Sequence, residues 1–370
     1  MDLSMVSTRE DAEFMFRALH LAERGLYTTD PNPRVGCVIV KDGQIVGEGW
    51  HRQAGGPHAE IEALRQSGDR ADGATAYVSL EPCCHHGKTP PCTDALISAG
   101  IARVVAAMKD PNPRVAGEGL KKLKEAGVDV ACGLLENAAA ALNPGFCKRM
   151  KTGRPYIRSK LAMSLDGRTA LPSGESKWIT GEDARRDAHR LRARSSAIVT
   201  GIGTVLQDDP ELTARLPEQA GEILQPIRVV LDSRLRIPAT TRLAGGGNRT
   251  MVLTAVSDEE RTQALSDSFD IETLPATLDG RLDLTAVVDR LGHGQFNEVL
   301  IEAGPTLNGA LLRENLVDEW IVYVAPVVLG HQARGLFHLP DLTRMAERFE
   351  LTISDVRQVG RDLKLTLHKQ

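Results

Sequence analysis

The sequence predicts an α/β protein in two parts. Three observations lead there. Short runs rich in Val, Ile and Leu alternate with segments of helical period in both halves, the pattern of helices layered on mixed or parallel sheets. A turn-rich, basic stretch at 143–154 divides the halves. The 370 residues also exceed what one core usually serves, so a boundary near Thr152 leaves 1–152 and 153–370, each long enough to bury a core of its own.

In the first half, residues 10–25 place Phe14, Ala18, Leu21 and Ala22 on one face and stop at Gly25, an amphipathic helix. Residues 28–33 form a proline-bracketed loop, and 35–40 a buried strand. Residues 41–44 turn with an Asp-Gly signal into the return strand 45–51. A helix at 59–68 ends at Gly68, a short strand at 76–80 ends before Pro82, and a helix at 93–100 ends at Gly100. Strand 103–108, helix 119–127 and strand 128–130 follow. A hairpin followed by alternating helices and strands predicts an α/β/α sandwich on a mixed sheet.

The second half opens with a strand at 156–162, then a turn and a short strand through SLDGRTA. A helix at 182–194 carries Arg185, Arg186, Arg190, Arg192 and Arg194, most of which a solvated face accounts for. Strands are expected at 197–201, 227–232, 250–255, 298–302, 320–325 and 363–368. A glycine turn at 304–309 leads into a helix at 310–314. The alternation again predicts α/β.

Composition narrows the function classes. Hydrophobic residues at 42% and charged residues at 25% are ordinary for a globular protein. A net charge of −4 and 4% aromatics argue against the basic, aromatic-studded surface that nucleic-acid binding requires. No apolar run reaches the roughly 18 residues of a membrane span. The first residues, MDLSMVSTREDAEF, carry acids and no apolar core, unlike a signal peptide. Six cysteines predict a reducing cytosol rather than a disulfide framework, with Cys37, Cys84, Cys132 and Cys147 packed as inert thiols.

The chemistry gathers between His58 and Cys92. A histidine, a glutamate two residues on, and a later Pro-Cys and Cys form the zinc-deaminase signature. Three protein ligands leave a fourth tetrahedral position for water. The metal lowers that water's pKa, and a carboxylate that is not a ligand carries its proton. His58, Cys83 and Cys92 are the predicted ligands and Glu60 the shuttle. His58, Glu60 and Cys92 fall at helix starts, which favour anionic ligands. Eight residues separate the cysteines where the signature has two. The insert, CHHGKTPP, reads as a substrate loop, and Cys84, His85 and His86 stay open as alternative ligands. The segment PNPRV at 31–35 recurs at 111–115, either as two stiff turns or as two loops at a substrate mouth. In the second half, a helix start after strand 298–302 offers free N–H groups to an anion, and Gly304 and Gly309 would let backbone approach a phosphate. The stretch lacks G-x-G-x-x-G and is weak as a pattern alone.

The motifs PNPRVGCVIV (31–40), GGPHAEIEAL (55–64) and LEPCCHHGKTPPC (80–92) precede KLAMSLDGRTA (160–170), GESKWITG (174–181) and EAGPTLNGALL (302–312). Over essentially its whole length the chain resembles the bifunctional deaminase–reductase family of riboflavin biosynthesis. The resemblance implies a cytidine-deaminase-like α/β/α sandwich followed by a dihydrofolate-reductase-like α/β domain, and a homo-oligomer. It implies zinc-dependent removal of the 2-amino group of 2,5-diamino-6-ribosylamino-4(3H)-pyrimidinone 5′-phosphate, then NADPH-dependent reduction of the ribosyl group to ribityl. Asn32, His51 and Lys88 match positions that contact the pyrimidine. Gly304, Pro305, Thr306, Leu307, Asn308, Gly309 and Ala310 match the cradle of the NADPH pyrophosphate. Ala162, Trp178, Thr204, Asp208 and Ser233 match other cofactor positions. Ser176, Arg192, Leu212, Arg215 and Glu302 match positions that hold the ribose phosphate, and the arginine fork suits such a group. Asp166 and Glu302 are proton-donor candidates by residue type, and Arg234 is a candidate for the cofactor's 2′-phosphate. One competing reading is a zinc deaminase of another nucleotide or of nucleic acid, with an unrelated C-terminal domain. The charge and aromatic content count against its nucleic-acid form. A non-catalytic zinc scaffold would have lost Glu60 or a ligand, and all four are present.

Overall fold

A five-stranded sheet orders the first of two units, Met1–Gly153 and Arg154–Gln370. The structure is a computed structural model and describes residues 9–85, 90–113, 115–217, 223–245 and 247–369. The first unit runs α1 (Arg9–Glu23), β1 (Gly36–Lys41), β2 (Gln44–Trp50), α2 (Ala59–Ser67), β3 (Thr75–Val78), α3 (Cys92–Ser98), β4 (Arg103–Ala106), α4 (Glu118–Glu125), β5 (Asp129–Cys132), α5 (Glu136–Leu142) and α6 (Pro144–Thr152). The strand order is β2-β1-β3-β4-β5. Strand β1 is antiparallel to both neighbours, and β3, β4 and β5 are parallel. Side chains alternate across a strand. Val38, Tyr77 and Val105 therefore meet Met15, Leu19, Ala139 and Phe146 on one face. Cys37, Ile39, Val78 and Val104 meet Ala59, Ala63, Leu96 and Leu123 on the other. Helices α1, α5 and α6 cover the first face and α2, α3 and α4 the second, which makes the α/β/α sandwich.

One correction concerns residues 143–154, expected as turns. Helix α6 occupies most of this stretch instead, directly after α5. Pro144 takes the first helical position, where a missing N–H costs nothing, and Gly153 closes the helix at φ 76°. The approach of α2 to β2 depends on glycine: a Cβ at Gly49 would lie 2.3 Å from the Ala59 carbonyl oxygen. That contact fixes where α2 begins, and so where His58 and Glu60 stand.

The second unit comprises β6 (Tyr156–Ser164), β7 (Arg168–Ala170), α7 (Glu182–Ala193), β8 (Ala197–Gly201), α8 (Ile202–Asp208), β9 (Ile227–Leu231), β10 (Thr250–Thr254), α9 (Glu259–Leu265), β11 (Asp270–Thr273), α10 (Leu284–His293), β12 (Glu298–Ile301), α11 (Pro305–Arg313), β13 (Glu319–Ala325), β14 (Arg334–Gly335), β15 (Leu351–Val359) and β16 (Asp362–Lys369). Its main sheet has the order β11-β10-β9-β8-β12-β6-β13-β16-β15. The strands are parallel from β11 to β13, and the β15–β16 hairpin is antiparallel. From β8 the chain steps outward through β9, β10 and β11, then returns as β12 on the other side of β8. Such a reversal opens a crevice at the carboxyl ends of the strands, where α/β sheets bind ligands.

A second correction falls at that crevice. The helix expected at 310–314 begins at Pro305, with Gly304 as its N-cap. Gly309 is therefore helical and buried, and a Cβ there would lie 2.1 Å from the His338 carbonyl oxygen. Its lack of a side chain serves helix packing rather than a close approach to phosphate. Strand β15 was not expected, and its side chains are mostly exposed.

Candidate functional site

His58 is the residue before α2, in extended backbone, and Cys92 is the first residue of α3. Cys83 lies in the loop after β3. His58 Nδ1 is 3.2 Å from Cys92 Sγ and 3.5 Å from Cys83 Sγ, and the three donor atoms lie within 4.8 Å of one another. One imidazole and two thiols are the donor set of a catalytic zinc site with its fourth position open, so the residues fit the metal. Cys84 and His85 are outside this cluster, the one such group among the described residues. His86 and Lys88 lie outside the described residues.

The cluster is electrostatically prepared for a cation. The hydrogen bond from Cys92, against the effect of burial and with help from His58, holds the Cys83 thiol down to about 4. Its bond to Cys83 pushes Cys92 up, so the pair carries one thiolate before a metal arrives. Hydrogen bonding to Cys83 also raises His58. Glu60 is buried in the first turn of α2. Burial drives its carboxyl up to about 7, and the nearby Cys83 charge adds to the shift. A carboxyl that titrates near neutrality beside a metal site suits proton transfer in both directions.

Asn32 and His51 form a chain that ends at the Pro57 carbonyl, next to His58. His51 Nδ1 lies 2.9 Å from the Pro57 carbonyl oxygen, one residue before His58, and its Nε2 lies 3.0 Å from Asn32 Nδ2. The carbonyl can only accept, so Nδ1 carries the proton and Nε2 accepts from Asn32. His51 is buried and therefore acts on Asn32 rather than from the surface. The second PNPRV segment is tied to the metal loop by Glu81, whose buried carboxylate accepts from the amides of Asp110, Gly117, Gly119 and Leu120. Arg114 lies outside the described residues.

In the second unit most of the expected cofactor positions stand at the carboxyl ends of parallel strands. Ala162 lies in β6, Thr204 and Asp208 in α8 after β8, Ser233 just past β9, and residues 304–310 at the start of α11. Trp178 precedes α7 and is exposed, with the Arg185 guanidinium 4.6 Å from its ring centre. Ser176 is half-buried in the same loop. Ser233 Oγ accepts from the Leu282 amide at 3.0 Å. Asn308 is fully buried. It accepts from Ser159 Oγ at 2.6 Å and donates to the Ala303 and Gly304 carbonyls, which pins the start of α11.

Arg192 and Glu302 meet across this crevice. Both prongs of the guanidinium bind the carboxylate, at 2.6 and 2.8 Å, and Nη1 donates to the Thr213 carbonyl at 3.1 Å. The fork expected to grip phosphate is thus turned onto Glu302. Burial pushes the Glu302 carboxyl up, but Arg192 and then Lys160 prevail and hold it at about 2. Asp166 is also held at about 2, chiefly by Ser164 Oγ and then by the Leu329 and Gly330 amides. Both proton-donor candidates are therefore ionised at neutral pH. Burial lowers Lys160, and Glu302 opposes that shift. Neither Lys160 nor His189 was expected at the site. The available signal for Lys160 was a lysine in the middle of a strand, Tyr156–Ser164. Leu212 is buried in left-handed backbone, φ 50°, and Arg215 is exposed, bonded to Glu211 and to Thr213 Oγ1.

Known proteins resemble this chain over both units. Residues 8–108 match the cytidine and deoxycytidylate deaminase zinc-binding region, and residues 155–365 match the RibD C-terminal domain. The riboflavin biosynthesis protein RibD of Escherichia coli K12 is 53% identical over 97% of this chain and 99% of its own length. That of Haemophilus influenzae is 49% identical over 96% and 97%. The Acinetobacter baumannii RibD structure superposes with a TM-score of 0.91 at 47% identity, covering 98% of this chain and 99% of that one. A diaminohydroxyphosphoribosylaminopyrimidine deaminase/5-amino-6-(5-phosphoribosylamino)uracil reductase from Thermotoga maritima gives 0.85 at 32% identity, over 98% and 99%. The chain belongs to the RibD family of riboflavin biosynthesis, enzymes that join a zinc-dependent deaminase to an NADPH-dependent reductase.

Proposed function

We propose that His58, Cys83 and Cys92 hold the zinc and that Glu60 moves the protons of deamination. The substrate is 2,5-diamino-6-ribosylamino-4(3H)-pyrimidinone 5′-phosphate, and each unit carries one of the two activities. The observation that carries this reading is the convergence of three donor atoms within 4.8 Å next to a buried carboxyl that titrates at about 7. When bound, the metal supplies Lewis acidity that lowers the pKa of water. Glu60 takes a proton from the attacking water and delivers it to the ring nitrogen; it then takes the proton of the new hydroxyl as the carbonyl forms and gives it to the amino group, which leaves as ammonia. Asn32, oriented by His51, and Lys88 hold the pyrimidine.

In the second unit NADPH, when bound, supplies the hydride. The free amides at the start of α11 receive its pyrophosphate, with Ala162, Trp178, Thr204, Asp208 and Ser233 along the rest of the cofactor. Ser176, Leu212, Arg215 and the Arg192–Glu302 pair hold the ribose phosphate. Arg192 acts through Glu302, which leaves Arg215 as the exposed cation of the group. Asn308 and Gly309 act by fixing α11.

The enzyme works as a cytoplasmic homo-oligomer. All six cysteines are free, and no helix among the described residues is long and apolar enough to cross a membrane. Ile353, Val356 and Leu363 are 54%, 55% and 44% exposed on the outer hairpin, apolar surface that a second copy would cover. Sedimentation of the chain with charged residues at those three positions tests this, and an unchanged assembly rules the hairpin out.

The deciding experiment is a coupled assay of the purified chain with the diaminopyrimidinone ribosyl phosphate. Ammonia release is expected first, followed by NADPH oxidation that depends on it. Ammonia without NADPH oxidation removes the C-terminal assignment, and neither signal from a folded, zinc-loaded sample removes the substrate.

A further inference from the structure

We propose that His189 is a contact for the phosphate of the reductase substrate, donating from Nε2 beside Arg215. This rests on the reading that the crevice of the second unit takes a ribosyl phosphate. Three observations support it. Arg192 is committed to Glu302 and the Thr213 carbonyl, so the phosphate needs other donors. His189 precedes Arg192 by three positions on α7, which places both on one side of the helix. The ring's orientation is set by the chain: Nδ1 accepts from the Arg215 amide at 3.2 Å. The proton of the neutral ring then sits on Nε2.

That proton faces Arg215 Nη2, 3.4 Å away. Two donors converge on one place, an arrangement that an anionic oxygen satisfies. Charge around the ring agrees. Burial, then Arg192 and Arg215, hold His189 down to about 4, while Glu302 and the Thr213 carbonyl act the other way. At neutral pH the free ring is neutral and offers an N–H without adding a third positive charge beside the two arginines. A bound phosphate supplies the missing negative charge and raises the ring's affinity for a second proton.

The test uses the full chain, NADPH and the deaminated intermediate, with and without its 5′-phosphate. His189→Ala is expected to raise KM for the phosphorylated form about tenfold with kcat kept, the effect of losing one charge-assisted hydrogen bond. It should leave the dephosphorylated form unaffected. His189→Gln, whose amide nitrogen stands near the position of Nε2, should recover most of the affinity. Equal losses on both substrates would mean a packing role and overturn the proposal, as would no loss at all. If Arg215→Ala abolishes the preference for phosphate and His189→Ala does not, His189 alone is removed. If the wild type shows no preference, the phosphate reading of the crevice fails with it. A second measurement needs no functional variant: proton NMR of the wild-type ring, assigned by its absence in His189→Gln. Inorganic phosphate should move its titration upward from about 4. A ring that keeps its titration in saturating phosphate overturns the assignment.

Discussion

The guanidinium of Arg192 lies against the carboxylate of Glu302 in two parallel hydrogen bonds, although 110 residues separate the two in sequence. The pair is largely withdrawn from solvent, with side chains 16% and 12% exposed. Removing one partner of such a pair leaves the other charge buried alone, at a cost of roughly 3–5 kcal/mol. Arg192→Leu should therefore destabilise the second unit by about that much in urea unfolding, as well as impairing reduction. The pH dependence follows from the depressed pKa. Glu302 falls from 4.5 to about 2 on folding, so its contribution is present above 4.5 and is lost as pH falls toward 2. The stability gap between wild type and Glu302→Gln should narrow between pH 6 and pH 3. A constant gap would mean that the pair is not what holds the carboxylate ionised.

Deamination and reduction should separate in Glu60→Ala. Ammonia release should fall by roughly 10²–10⁴-fold, the usual contribution of a positioned acid–base group. Zinc content and reduction of the already deaminated intermediate should remain. Cys83→Ser and removal of the metal by a chelator should abolish ammonia release together with bound zinc, and again spare reduction. Metal analysis beside the two activity assays decides this. Loss of both activities in a folded Glu60→Ala protein would contradict the division of labour between the units.

Asn32→Ala should raise KM or cut turnover of deamination with zinc retained, because Asn32 is held toward the site by His51 at 3.0 Å. His51→Ala should follow it in the same direction, since His51 is buried and bonded to Pro57 beside His58. Unchanged kinetics in both variants would take this chain of contacts out of the pocket.

Two glycines of one helix should respond differently. Alanine at Gly309 has no room, with the His338 carbonyl oxygen 2.1 Å from the new Cβ, whereas no neighbouring atom lies within 4 Å at Gly304. Gly309→Ala should cost about 1–3 kcal/mol by overpacking and weaken NADPH binding as α11 shifts. Gly304→Ala should leave stability nearly unchanged. NADPH fluorescence titration and thermal melts of both variants test the difference, and equal behaviour would deny the packing role of Gly309.

Much of the architecture was legible because its signals are local. The Asp-Gly turn between β1 and β2, the glycine stops of α2 and α3, and the apolar runs of β8, β9 and β12 are each set by neighbours in the chain. Elements were misread where a local signal has two meanings. Asn143-Pro144-Gly145 reads as a turn, yet proline at a first helical position starts α6. The glycines of α11 read as a phosphate loop, yet Gly309 meets a backbone that arrives from 29 residues away in sequence. Strand β15 gave no periodic signal because it lies at the edge of the sheet with its side chains mostly in solvent.

The metal cluster and the reductase crevice differ in the same way. His58, Glu60, Cys83 and Cys92 lie within 35 residues, at helix starts or in one loop, so residue type and spacing alone point to their chemistry. By itself the sequence determined an α/β protein in two parts with a zinc deaminase in the first. Only the tertiary structure decided that Arg192 faces Glu302, that Lys160 joins them, and that His189 is oriented by Arg215. Lys160 comes from β6, Glu302 from the end of β12, His189 and Arg192 from α7, and Arg215 from the loop after α8. Strand order and helix packing bring them together, and neither is written in the spacing of any one segment.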